Sequence, residues 1–166
     1  MKLRYAWSML LLLILHAEVN ALSTDQDKPF EVEADSAIVD ENLGSTIYRG
    51  DVSIIQGSLK ILADEIEIIT IGGDVVQIIA RTDENSDRLA HLEQQPDNKE
   101  RVFADARSIN YYIQEQRVNL TGEARLRQKG DEFTGEIVYY DVGQGIVHLK
   151  SGSESERIKI KYNTAK

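Results

Sequence analysis

Carboxylates and histidines are the side chains of this sequence whose types could support proton transfer or metal binding. Asp64 stands beside Glu65, and Glu154 lies two positions from Glu156. Either pair could be written as general acid and base. Such pairs act only where a shared cleft perturbs them, and the surrounding pattern gives no reason to place them in one. Of the three histidines, His16 falls in an N-terminal apolar leader, leaving His91 and His148. With no cysteine and no patterned acid nearby, a zinc site is not expected. No glycine-rich loop opens a helix, so a nucleotide site is not indicated either. The expectation is a protein with no catalytic residue, no metal and no cofactor, one that works by binding.

The elements that would position these residues read as strands. Lys2 and Arg4 precede the apolar run Ala6–Leu15, and Val19-Asn20-Ala21 supplies a cleavage site, so residues 1–21 read as a cleaved signal peptide. The apolar run is about half of the roughly 20 residues needed to span a bilayer. Residues 22–27 are expected to be a flexible N-terminus, 28–162 one domain, and 163–166 a frayed end. The leader carries Lys2, Arg4 and Glu18, so a chain of net charge −9 becomes −10 after cleavage. Such acidity argues against nucleic acid and against adsorption to an anionic membrane. Exported domains often rely on disulfides; this one must rely on burial and backbone pairing.

Apolar residues recur at period two almost throughout. Phe30, Val32 and Ala34 alternate with acids, as do Ile66 and Ile68, and Ile158, Ile160 and Tyr162 alternate with basic residues. That pattern turns one face of each strand inward and the other to water. Asn42-Leu43-Gly44, Gln56-Gly57, Gly72-Gly73-Asp74, Lys129-Gly130-Asp131 and Gly143-Gln144-Gly145 punctuate it as hairpin turns. Thr82–Glu100 reads as two polar loops flanking a short strand, Leu89-Ala90-His91-Leu92. The segment from Ala34-Asp35 through Gly50, Gln56 and Asp64 is echoed from Ala104-Asp105 through Gly122, Gln128 and Glu136, with a shift of two residues before the glycine. Ala63-Asp64 also begins a shorter, degenerate copy. Repeated β units are expected to stack so that each covers its neighbour's apolar face.

Lys28–Asp35, Tyr48-Arg49-Gly50-Asp51-Val52, Gln56–Ile61, Ala63-Asp64 and the second copy from Ala106-Arg107 to Glu123-Ala124 resemble the OstA-like (LptA) family of periplasmic lipopolysaccharide transport proteins. The resemblance covers residues 28–162. It implies an all-β fold, a twisted and incompletely closed antiparallel β-jellyroll with an apolar groove for the acyl chains of lipid A. It also implies residence in the periplasm of a Gram-negative bacterium. An LptC-like jellyroll would pair with the N-terminal edge and an LptD-like N-terminal domain with the C-terminal edge, and copies would associate head to tail.

Carried over on the family's pattern, Phe30, Val32, Leu92, Tyr111 and Ile113 fall in the groove. Alternation alone adds Ile54, Ile61, Leu120, Leu126 and Phe133. Ordinary core packing accounts equally well for burial of each. The partner edges are expected at Phe30, Val32 and Ala34 on one side and at Val147, Leu149, Ile158 and Ile160 on the other. Two other readings stay open. One is an LptC-like protein that keeps its leader as a membrane anchor; the other is an exported β-sandwich that binds or hydrolyses polysaccharide, which would need clustered aromatics or a carboxylate pair.

Overall fold

The computed structural model describes residues 28–96, 99–153 and 155–164. The expected signal peptide, the 22–27 segment and Glu154 lie outside the described residues. Twelve antiparallel strands account for the regular structure. The first six are β1 (Glu31–Glu33), β2 (Ser36–Asp40), β3 (Ser45–Gln56), β4 (Leu59–Ile71), β5 (Asp74–Arg81) and β6 (Ala90–Gln94). The second six are β7 (Val102–Ala106), β8 (Ser108–Tyr112), β9 (Arg117–Gln128), β10 (Asp131–Asp141), β11 (Ile146–Lys150) and β12 (Lys159–Lys161). All five glycine turns anticipated from sequence fall between consecutive strands. The short strand of the polar stretch starts one residue later and ends two residues later than expected, at Ala90–Gln94.

A line of kinks folds this one sheet into two layers. The first layer runs β2–β3–β4–β5–β8–β9–β10–β11 and the second β1–β3–β4–β6–β7–β9–β10–β12. Strands β3, β4, β9 and β10 pass through both, so the layers are joined along the kinks. Two kinks are bulges of the same kind. Gly50 and Asp51 both have positive φ (85° and 46°), as do Gly122 and Glu123 (79° and 51°). An extra residue in the left-handed region bends a strand and raises its twist. Inward residues beside the kinks are small: Ala63, Ala80, Ala90, Ala106 and Ala124 are all buried. Small side chains there let the layers close on each other, and bulkier ones fill the space farther out.

The repeat is real, but its alignment differs from the sequence reading. The Asp35 amide donates to the Arg49 and Gly50 carbonyls, and the Arg107 amide donates to the Gly122 carbonyl. Asp35 therefore corresponds to Arg107, not Asp105, and no shift of two is needed. One offset of 72 residues carries β2 onto β8 and β3 onto β9. The copies also do not stack face on face. They lie side by side in both layers, joined where β5 pairs β8 and β6 pairs β7. The expected degenerate copy at Ala63-Asp64 has no bulge of this kind; Asp64 instead accepts from the Asp83 amide and from Arg88. The end expected to fray is held at its first residue, where the Asn163 amide donates to Asp131.

Candidate functional site

The inward side chains form rows that cross the molecule from edge to edge. In the second layer, register pairs give Val32–Ile54–Ile61–Leu92–Ala104–Leu126–Phe133–Ile160. Eight strands at about 4.8 Å spacing make this lane roughly 34 Å long. Facing it, the first layer contributes Ile68–Ile78–Tyr111–Val118–Tyr140–Val147, and a second row Ile66–Ala80–Ile109–Leu120–Val138–Leu149. Every residue of these rows except the exposed Ile160 belongs to one core cluster or packs against it.

The ten residues expected in the groove all reach this interior. Ile54, Ile61, Leu92, Tyr111, Leu120 and Leu126 are buried in the cluster, and Phe30, Val32, Ile113 and Phe133 pack against it. Six of the ten share the second-layer lane. Leu92 is 2% exposed. Ala104 went unnamed because one methyl gives little period-two signal. Tyr140 went unnamed because the Tyr139-Tyr140 doublet hides the alternation of Val138, Tyr140 and Val142.

The interior is closed. Away from the kinks, among Leu92, Val102, Ala104, Leu126 and Tyr140, the packing leaves no room even for a water molecule. Lys99, from the β6–β7 connection, donates to the carbonyls of Val142 and Gly143 in the β10–β11 turn. That contact ties one layer to the other on the same side. A ligand pocket of ordinary size is 300–1,000 Å³, so a long apolar ligand would enter only as the layers part.

The edges are open on both sides. β1 and β2 end the two layers at one side, β11 and β12 at the other. Of the expected edge residues, Ala34, Ile158 and Ile160 are exposed, while Phe30, Val32, Val147 and Leu149 are half-buried. Ile38 and Val39 in β2 are more exposed still, at 58% and 64%. They were missed because the run Ser36-Ala37-Ile38-Val39-Asp40 does not alternate.

Among the described residues, the candidate polar groups are held in ion pairs or stand apart. Asp64 is held by Arg88, and Glu65 by Arg49 and Arg81. His91 Nδ1 lies 2.7 Å from Asp105 on the outer face. The hydroxyl in the same row, Ser53, stands two strands from His91 across Leu62, roughly 10 Å against the ~3 Å that proton transfer requires. A shallow outer cleft gathers Tyr112, Arg117, Asn119, Tyr139 and His148, but its one carboxylate is Asp141. Glycoside hydrolysis uses two. Among the described residues no metal-holding group of His, Asp and Glu occurs.

Asp105 gives the fold a measurable acid response. Burial alone would raise its pKa, but the His91 hydrogen bond and charge, with Arg127, hold it below the ordinary value. A carboxyl with a lowered folded pKa contributes stability above its unfolded value, and that contribution is lost as pH falls through the folded one. Urea midpoints are therefore expected to fall below about pH 4. Asp105→Asn should lower the midpoint at pH 7 and flatten the fall; an unchanged slope would remove Asp105 from this account.

The sequence model of the family described as "LptA/(LptD N-terminal domain) LPS transport protein" matches residues 31–146. The lipopolysaccharide export system protein LptH of Pseudomonas aeruginosa is 31% identical over 137 residues, covering 82% of this chain and 76% of that protein. The lipopolysaccharide export system protein LptA of Escherichia coli K12 is 28% identical over 120 residues, or 72% of this chain and 63% of the relative. The crystal structure of LptH, described as the LptA-homologous periplasmic component of the lipopolysaccharide transport device of P. aeruginosa, superposes with a TM-score of 0.73. It covers 84% of this chain and 99% of that one at 28% identity. The chain belongs to the LptA/LptD N-terminal domain family of lipopolysaccharide transport proteins.

Proposed function

We propose that this protein is a periplasmic, lipopolysaccharide-binding segment of a bridge between the inner and outer membranes, with its layers parting to take acyl chains between them. The observation that carries this reading is the inward lane from Val32 to Ile160, which runs unbroken between two open edges. A methylene moved from water into such an interior gains about 0.8 kcal/mol. A lane open at both ends can be continued by a neighbour; a closed pocket cannot.

The join between the two repeats supplies a pattern for that continuation. Ile160 occupies the place of Leu92, because it pairs Phe133 as Leu92 pairs the equivalent Ile61. Val147 likewise occupies the place of Ile78, pairing Tyr140 as Ile78 pairs Ile68. Within the chain Leu92 pairs Ala104 and Ile78 pairs Tyr111. Their equivalents across an intermolecular joint are Ile160 against Val32 and Val147 against Val39 of the next copy. Every inward row then continues inward, which a slip of one residue would destroy. An LptC-like jellyroll on β1 and β2, and an LptD-like domain on β11 and β12, would use the same edge pairing.

The test is photo-crosslinking in cells, with the probe at Ile54 or Leu92 in the lane and at Glu67 on the outer face. Lipopolysaccharide adducts are expected at the lane positions and not at Glu67. Equal labelling at all three would reject the interior as the binding site.

A further inference from the structure

One group in the interior is not accounted for by its apolar lining. Tyr140 is 1% exposed, and its hydroxyl has no hydrogen-bond partner among the described residues. Burial pushes its pKa up, and the Gln128 side chain offsets this only in part, approaching without completing a hydrogen bond. A buried hydroxyl left unpaired costs about 1–3 kcal/mol. Packing does not demand it: the equivalent position in the first repeat is Ile68, also buried. Nor does Tyr140 sit at the tight seam of the kinks. It packs between the layers among Leu92, Val102, Ala104 and Leu126, on the side where Lys99 ties them together.

We infer that the Tyr140 hydroxyl is the hydrogen-bond anchor for an oxygen borne on the acyl chain of the ligand, a hydroxyl or a carbonyl within the buried length. The interior therefore selects oxygenated acyl chains over plain hydrocarbon ones. The inference rests on the reading of the interior as the acyl site. It adds the element that reading lacks, since an interior lined only by Val, Leu, Ile and Ala measures length and bulk but not functional groups. The hydroxyl can donate to either kind of oxygen. Its cost in the free protein becomes discrimination in the bound one, because a chain without oxygen leaves it unpaired still.

The experiment compares tetradecanoic acid with its 3-hydroxy, 7-hydroxy and 11-hydroxy derivatives on the mature chain and on Tyr140→Phe. At least one hydroxylated acid is expected to bind the natural chain about tenfold more tightly than tetradecanoic acid. Tyr140→Phe should bring the two to parity, leave the affinity for tetradecanoic acid unchanged, and leave the unliganded melting temperature equal or higher. Equal affinity of the natural chain for all four acids would overturn the inference, as would a preference that survives in Tyr140→Phe. If none of the acids binds the natural chain, the acyl reading of the interior fails and takes this inference with it.

Discussion

Gly50→Ala is expected to destabilise the folded domain by roughly 2–5 kcal/mol, a large share of the ~5–15 kcal/mol available to a domain of this size. Gly50 has φ +85°, where an L side chain is strained, and a Cβ built there lies 2.2 Å from Asp35 Oδ2 and 2.7 Å from Asp35 Cβ. Asp35 cannot move away freely, because its own amide holds the carbonyls of Arg49 and Gly50. Gly122→Ala should follow with a smaller loss, since its Cβ meets Arg107 Cβ and Cγ at 2.8 Å. Gly72→Ala is the control: φ is +62° but nothing lies within 4 Å, so only the conformational cost of about 1–2 kcal/mol remains. Urea denaturation separates the three. If Gly50 and Gly72 variants unfold at the same midpoint, close packing at the kink does not hold the layers together.

That the same glycine-acid bulge occurs twice is what made the fold legible. Gly50 and Gly122 stood at matched places in the sequence, and alternation placed Ile54, Ile61 and Leu126 inward. The corner partners were misread because Ala104-Asp105 spells like Ala34-Asp35, whereas the match that counts is a backbone amide, at Asp35 and at Arg107. An amide's role leaves no trace in residue type. At the kinks β3 and β9 keep their period-two pattern through the extra residue (Val52 and Ile54; Leu120, Ala124 and Leu126), whereas in β4 and β10 the inward phase shifts by one, from Ala63 to Ile66 and from Phe133 to Val138. Neither pattern distinguishes stacked hairpins from copies lying side by side. Lys99 acts through contacts 43 and 44 residues away in the chain and Tyr140 through a missing partner, and neither has a local signature.

An apolar interior this long is compatible with a chain that stays folded in water. Empty, the interior is not a groove but a packed core, with Leu120, Leu126, Val138 and Ile66 fully buried. The layers share four strands at the kinks and are tied on the other side by Lys99. The rows are exposed at their ends, at Val39 and Ile160, while their middles are kept from water by packing.

Those ends make the second large prediction, that charge at the edges sets head-to-tail association. The register carried over from the internal join sets Ile160 against Val32, which puts Lys159 against Glu33 and Lys161 against Glu31 of the next copy. All four side chains are exposed on the outer face in the free chain. Within the chain, the place corresponding to Lys159 and Glu33 is already held by a charged pair, His91 and Asp105. Opposite charges directly across an antiparallel pair stabilise it by about 0.2–1 kcal/mol each, and like charges reverse the sign. Replacing Glu31 and Glu33 with lysine converts two attractions into two repulsions. Association measured by analytical ultracentrifugation should weaken about 10–100-fold, and more at low salt than at high, as expected of exposed charges. Reversing Lys159 and Lys161 to glutamate should do the same. A mixture of the two reversed proteins should associate again in alternation, because each carries one sign at both edges and opposite charges then meet at every joint. Exchange of both pairs in a single chain should restore self-association to near its original strength, since the same contacts return with their signs interchanged. A doubly exchanged protein that stays monomeric would show that the copies do not meet in the register of the internal join.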